Sequence, residues 1–269
     1  MRPGNLVFLL ALFFALMGCS SKNTWDNYRG GKHLVIEVEQ TGDESVDRSN
    51  LQKIYTLMVQ RLHDFGIRDL FAIKEGKDRI ILQLPHKTKL QKEIYDLVLN
   101  SYKLEFKIVN EDYNVEQLDK SNLPPNIQLL NTSKSAPGND HRLFAVNKKA
   151  LLTGAYIIDA KVTFDKYTDR PNVEFEFDKE GAILFKFITG NNIKKRLAMI
   201  FDGEVYSAPV IQTTITGGHA ILTGNFSDQE AKILAICLRQ GAYPASVRLI
   251  AENSLTEDIW LGSNKDNQH

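Results

Sequence analysis

Four of the chain's seventeen glycines fall within Phe201–Phe226, FDGEVYSAPVIQTTITGGHAILTGNF, a density that raises phosphate binding as a first possibility. A Walker-type loop needs G-x-x-x-x-G-K-[ST] between strand and helix, because a lysine and a hydroxyl complete the nest of backbone amides. Gly217, Gly218 and Gly224 have the wrong spacing, and Asn225 stands where the lysine belongs. The dinucleotide pattern G-x-G-x-x-G is also missing from the stretch. Asp202-Gly203 lies between two apolar runs and signals a type I′ hairpin, and Gly217-Gly218 is expected to make a second corner. The six histidines are scattered without H-E-x-x-H or paired ligand spacing, and no G-x-S-x-G marks a serine nucleophile. Asp64, Asp202 and Asp228 each have a turn or cap explanation, so no carboxylate pair demands acid–base work. The sequence therefore offers no catalytic, cofactor-binding or metal-ligating residue, and an envelope hydrolase would need a polar cluster that the sequence does not display.

The elements around these residues alternate between two periods. HLVIEVE places Leu34, Ile36 and Val38 on one face of a strand. The next segment sets Leu51, Ile54, Leu57, Met58, Leu62 and Phe65 on one helical stripe, with Gly66 as C-terminal cap. LFAIKEGKDRIILQLP is two strands about a turn at residues 75–78, KLQKEIYDLVLN a second amphipathic helix, and KLEFKIV a further strand. The order βαββαβ predicts an α+β fold with a ferredoxin-like base subdomain over residues 32–109. Residues 110–141 are rich in Pro, Ser, Asn and Gly and read either as a connector or as a long loop within one domain. A second α/β unit, the head, follows over 142–252. Its strands include YIIDAKVTF and NVEFEFD, then RLAMIF, EVYSAPVI and AILTG as a β-meander. Asp178 caps one helix, and Ser227 with Glu230 forms a capping box on another that Gly241 ends before a returning strand. Residues 253–269 read as a polar tail, and no transmembrane bundle is expected.

Lys plus Arg and Asp plus Glu both total 33, so no basic excess points to nucleic acid. The N-terminus differs in kind. Arg2 precedes an uncharged apolar run from Leu6 to Met17, too short for the roughly 20 residues that a bilayer core needs. With the small-residue step that follows, it reads as an export signal over residues 1–18. Leu16-Met17-Gly18-Cys19 resembles the lipobox of bacterial lipoproteins, in which the cysteine is acylated and becomes the new N-terminus. That resemblance implies lipidation at Cys19, a tether over residues 19–31, and an extracytoplasmic protein held to a membrane of the cell envelope. An ordinary secretory signal with an incidental cysteine is the alternative. Cys237, among apolar residues at helical spacing, reads as a small buried hydrophobe rather than a nucleophile.

The ordered motifs together resemble the first large extracytoplasmic (P1) domain of SecD, a membrane subunit of the bacterial Sec translocase. DNYRGGKHLVIEVE, RLHDFGI and DRIILQLP carry the first part. ALLTGAYIIDAKVTFD, RPNVEFEFDKEGAILF, NIKKRLAMIFDGEVYSAPVI and the run from Ile215 through Glu252 carry the rest. The resemblance implies a base and a mobile head, with exported or unfolded polypeptide and Sec translocase subunits as partners. It implies no enzymatic activity, and no proton-driven pumping where the later transmembrane helices are replaced by NSLTEDIWLGSNKDNQH. Phe164, Tyr167, Phe175, Phe177, Tyr206 and Ile211 are the candidate polypeptide-binding residues, since they supply aromatic and apolar surface in the second unit. A structural adaptor that keeps the fold and has lost the client groove is the competing expectation.

Overall fold

The computed structural model describes residues 26–88, 91–113, 115, 122–133, 136 and 142–261. The first part of the chain forms β1 (Lys32–Val38), α1 (Glu44–Phe65), β2 (Phe71–Glu75), β3 (Arg79–Leu84) and α2 (Gln91–Leu99). There follow β4 (Leu104–Ile108), β5 (Ile127–Asn131), β6 (Leu143–Asn147), β7 (Leu152–Thr153), β8 (Ile157–Phe164) and β9 (Pro171–Phe177). The remainder is α3 (Lys179–Asn191), β10 (Leu197–Phe201), β11 (Glu204–Ser207), β12 (His219–Leu222), α4 (Asp228–Gln240) and β13 (Val247–Ser254). Among the described residues no helix is long and apolar enough to cross a membrane.

Local chemistry sets the helix ends. The Asp43 carboxylate accepts the amides of Ser45 and Val46 at the start of α1, and Gly66 at φ 114° closes it with its N–H on His63 O and Leu62 O. From α1, Leu51, Ile54, Leu57, Met58, Leu62 and Phe65 pack against Leu34, Ile36, Val38, Ile80, Leu82 and Leu84 of the base sheet. Each such side chain contributes roughly 1.5–3 kcal/mol through burial, as an upper estimate.

Strand pairing departs from the sequence order in three places. The base sheet runs β13-β1-β3-β2, so the returning strand, not β4, completes it. Strand β13 lies antiparallel to β1 along its whole length, from Lys32↔Ser254 to Val38↔Val247, with one irregularity at Val35/Ile36. Strand β4, expected to end the base, pairs instead with β10 and β7 in a sheet of order β11-β10-β4-β7. The expected βαββαβ path is therefore interrupted after α2, and the second unit is inserted before its last strand. The expected meander is also broken. Strands β10 and β11 form a hairpin at Asp202 (φ 45°) and Gly203 (φ 87°), but β12 joins β9 and β8 in a separate sheet. Gly218 is not a hairpin corner: it carries the chain past α3, where an added Cβ would lie 2.8 Å from the Ala182 Cβ. The segment read as connector contains β5, which pairs with β6.

The described residues of the tether and of the tail are packed. Tyr28 from the tether and Leu255 and Trp260 from the tail are buried together. The Tyr28 and Phe71 ring centroids lie 4.4 and 4.7 Å from that of Trp260. Gln83, fully buried in β3, donates to Ile259 O at 2.5 Å and accepts the Leu261 N–H at 3.0 Å, which fixes the tail across the sheet. Leu255, Ile259 and Trp260 suffice in this polar run, because they meet Tyr28 and Phe71 on the face of the base sheet away from α1 and α2. Cys19 and the segment 1–18 lie outside the described residues.

Helix α4 joins the two units. Its Ile233, Ile236 and Cys237 enter the core formed with α1 and α2, while Ala231, Leu234, Ala235 and Leu238 enter the core beneath β8 and β9. A helix apolar on both sides must be covered on both sides.

Candidate functional site

The two chain crossings between the units meet at Arg61, which sits on the buried stripe of α1 with no solvent exposure. Its guanidinium donates to the carbonyls of Asn100 (2.9 Å), Ser101 (3.0 Å), Gly241 (2.8 Å) and, more weakly, Leu97 (3.4 Å). The planar fork suits this task, since its donors fan outward in a fixed geometry. It also lies 4.0 Å from the centroid of the Tyr243 ring and 5.7 Å from that of Tyr102. The opposite side of the first crossing is held from the head. The Asp202 carboxylate accepts the amides of Tyr102 at 2.8 Å and Lys103 at 2.9 Å. Tyr102 itself is held at φ 58°, a left-handed conformation that few non-glycine residues adopt. A cation from the base and an anion from the head thus hold adjacent pairs of the same crossing, Arg61 the carbonyls of Asn100 and Ser101 and Asp202 the amides of Tyr102 and Lys103.

Beside this joint lies a cleft of about 660 Å³. Helix α2 supplies Lys92 and Asp96 to one wall, and the β10–β11 hairpin supplies Phe201, Asp202, Glu204 and Tyr206 to another. Tyr102, Asn225, Phe226 and the first turns of α4 complete it. Tyr206 packs edge-on to Phe201 at 5.0 Å and stacks with Phe226 at 6.1 Å. Burial pushes the Tyr102 and Tyr206 phenols up, so both rings enter the cleft neutral. At the start of α4 the capping box is formed: Ser227 Oγ accepts the Glu230 N–H, and the Glu230 carboxylate accepts the Ser227 N–H. Lys92 Nζ reaches across to Glu230 at 3.0 Å. Burial pushes the Glu230 carboxyl up, but the Ser227 amide, Lys92 and the Ser227 hydroxyl together hold it below the usual range. Asp96 is raised, by burial first and then by Glu230 and Glu93 against the opposing pull of Lys92.

The sequence-derived residues separate into three groups. Phe175, Phe177 and Ile211 are core: the two phenylalanines pack with Phe106 and Phe185, because alternation along β9 turns them inward while Glu174 and Glu176 face out. They present no surface for a partner in this structure, so as surface residues they are corrected. Tyr206 lines the cleft. Phe164 and Tyr167 are 55% and 96% exposed at the tip of the β8–β9 hairpin. Asp165 shapes that tip by accepting the amides of Tyr167 and Thr168. The tip connects to the cleft through Arg170, which donates to Asn225 Oδ1 at 3.1 Å. A second exposed apolar surface lies on α3, where Ile183 and Phe187 are one turn apart.

Arg61, Tyr102 and Phe226 escaped the sequence reading. Arg61 alone had a local signal, as a charge three residues from Met58 on an otherwise apolar stripe. Cys237 is fully buried and burial raises its thiol to about 12, which makes it a poor nucleophile. Among the described residues no group of three or more His, Cys, Asp or Glu side chains is placed to hold a metal ion.

Comparison with known proteins gives this geometry a family. Residues 128–245 match the family model "SecDF, P1 head subdomain". The SecD translocase subunit of Syntrophobacter fumaroxidans is 34% identical over 237 residues, covering 87% of this chain and 44% of that protein. That of Magnetococcus marinus is 38% identical over 197 residues, 72% of this chain and 37% of that one. A solved structure described as a membrane component SecDF that enhances protein export superposes with a TM-score of 0.63 at 29% identity. It covers 83% of this chain and all of the solved one. A SecDF crystal structure in a super-membrane-facing form gives 0.66 at 30% identity, covering 84% of this chain and 30% of that one. The chain carries a SecD-type P1 region. It spans less than half the length of these curated relatives. In this P1 region the matched head begins at β5 and runs through α4, so the cleft is the seam between the matched head and the helix α2 that precedes it.

Proposed function

We propose that the chain is an accessory of protein export: a lipid-anchored P1 module that binds emerging or unfolded polypeptide, or docks to Sec translocase subunits, in the extracytoplasmic compartment. The reading assigns no enzymatic step and no proton-driven pumping to the described residues. Membership of the SecD P1 family supports the export context. The observation that carries polypeptide binding is the aromatic cleft at the joint, large enough for several side chains, with the exposed Phe164 and Tyr167 on the hairpin whose Arg170 bonds Asn225 of the cleft lining. Phe175, Phe177 and Ile211 take no part in this version, and Tyr206 moves to its centre.

The test uses the full chain in neutral-lipid nanodiscs with a reduced, carboxymethylated protein as permanently unfolded client. Saturable binding with a Kd of about 10–50 μM, about −6 to −7 kcal/mol, is expected. Photo-crosslinkers at positions 167 and 206 should capture client, and one at position 187 tests the α3 surface. The absence of both client binding and crosslinks to Sec subunits would refute the proposal. Envelope partners without client affinity would establish the adaptor instead. Cys19→Ala should shift the protein from the membrane to the soluble fraction, and unchanged anchoring would reject the lipoprotein assignment.

A further inference from the structure

We propose that the cleft selects extended polypeptide segments in which lysine or arginine alternates with apolar residues. The inference rests on the polypeptide-binding reading and adds a charge preference to it. Its basis is the imbalance of the lining. Four carboxylates, Asp96, Asp202, Glu204 and Glu230, face a single ammonium, Lys92. This is notable in a chain whose overall charges cancel.

Two of those carboxylates are committed to the fold. Asp202 is occupied by the amides of Tyr102 and Lys103, and Glu230 by the capping box and Lys92. Asp96 and Glu204 are not: neither side chain takes a hydrogen bond or an ion pair from another described residue. Lys92 influences Asp96 only at longer range, and its ammonium is engaged by Glu230. Burial first, and then Glu230 and Glu93, raise the Asp96 carboxyl, and a cation placed beside it would oppose that rise.

The walls fit the same ligand. Tyr102, Phe201, Tyr206 and Phe226 offer apolar area to side chains such as Leu or Phe. The ring faces also attract ammonium and guanidinium groups, and Lys and Arg stems pack along apolar surface while their heads reach the carboxylates. An acidic segment of equal hydrophobicity meets repulsion at each of those points, which is how one lining both attracts and excludes.

The experiment is fluorescence anisotropy of the full chain in neutral phosphatidylcholine nanodiscs with two labelled peptides of identical leucine and serine content. One carries four lysines, the other four glutamates at the same positions. The lysine peptide should bind at least fivefold more tightly at 50 mM NaCl, and the ratio should shrink at 500 mM as screening grows. The paired variant Asp96→Asn/Glu204→Gln, isosteric and at positions outside the core, should reduce the ratio to within twofold. Equal binding of both peptides to the unaltered chain overturns the charge preference while leaving polypeptide binding in place. A ratio that survives in the paired variant overturns the assignment to these two carboxylates. Failure of both peptides and of the unfolded client overturns the underlying reading and this inference with it.

Discussion

Replacing Arg61 isolates the joint between the two units. Arg61→Met keeps most of the side-chain volume and removes every donor. The carbonyls of Asn100, Ser101 and Gly241 then lose their partner, whereas Leu97 O retains the Tyr243 hydroxyl at 3.1 Å. A buried carbonyl left without a donor costs roughly 1–3 kcal/mol, and these three are only part-buried, so the lower half of that range applies and they amount to about 3–6 kcal/mol together. Against this stands the relief of no longer burying an unpaired charge, several kcal/mol in effective terms. The balance is a loss of about 2 kcal/mol, which at this chain length lowers Tm by roughly 4–8 °C. Arg61→Lys supplies the deciding comparison. It restores the charge, but one ammonium cannot span carbonyls arranged on two chain crossings. If the fork geometry is what matters, the lysine variant loses about as much as the methionine variant. Circular dichroism melts at 222 nm of the full chain in non-ionic detergent measure both. A lysine variant within about 2 °C of the unaltered protein would refute the reasoning, because charge alone would then explain the site.

Other consequences follow from the same structure. Trp260→Ala should cost about 3 kcal/mol, as a large aromatic removed from a packed cluster does, and lower the phenolate titration of Tyr28 from about 12, where burial and secondarily Asp69 place it. An unchanged tyrosine absorbance titration would deny the contact. Gly31→Ala should disturb the same corner, since the new Cβ would lie 2.1 Å from Leu84 O and 2.8 Å from Tyr28 O, and a Tm within 1–2 °C of the parent, about 0.5 kcal/mol, would contradict it. Asp47 is held below the ordinary carboxylate range first by the Thr41 amide, then by the Thr41 hydroxyl, and by Gly42. A depressed folded-state pKa gives stability that is present above the unfolded value and lost as pH falls through the folded one. Asp47→Asn should therefore be less stable at neutral pH and show a flatter Tm profile below about pH 4; parallel profiles would disprove the linkage.

What could be read in the sequence was local. The Asp178 cap, the Ser227–Glu230 box, the Asp202-Gly203 corner and the stripe of α1 each depend on residues within a few positions, and the structure contains them all. Sheet membership depends on partners a hundred residues away. KLEFKIV alternates equally well beside β1 or β10, and nothing in its own residues distinguishes the two. Likewise Leu255 and Trp260 look like isolated apolar residues until Tyr28 and Phe71 are placed opposite them. The cleft was the least legible part. Tyr206 was found as an aromatic in the right unit, but Asp96 and Tyr102 come from the other side of an insertion. For Phe175 and Phe177 the alternation with Glu174 and Glu176 already argued for burial, and that pattern outweighs aromatic character.

The pairing of β13 with β1 also has a mechanical meaning. Chain entering from residue 26 reaches the lower end of β1 at Lys32, while the head pulls on β13 at Val247, which lies beside Val38 at the far end. A force drawing the head away from that entry point therefore loads the two strands in shear. Every rung from Lys32↔Ser254 to Val38↔Val247 resists together rather than opening one after another. The packed corner of Tyr28 and Trp260 protects the end where peeling would begin. If the head holds a polypeptide as proposed, a tug on it would be borne by the base without unzipping it.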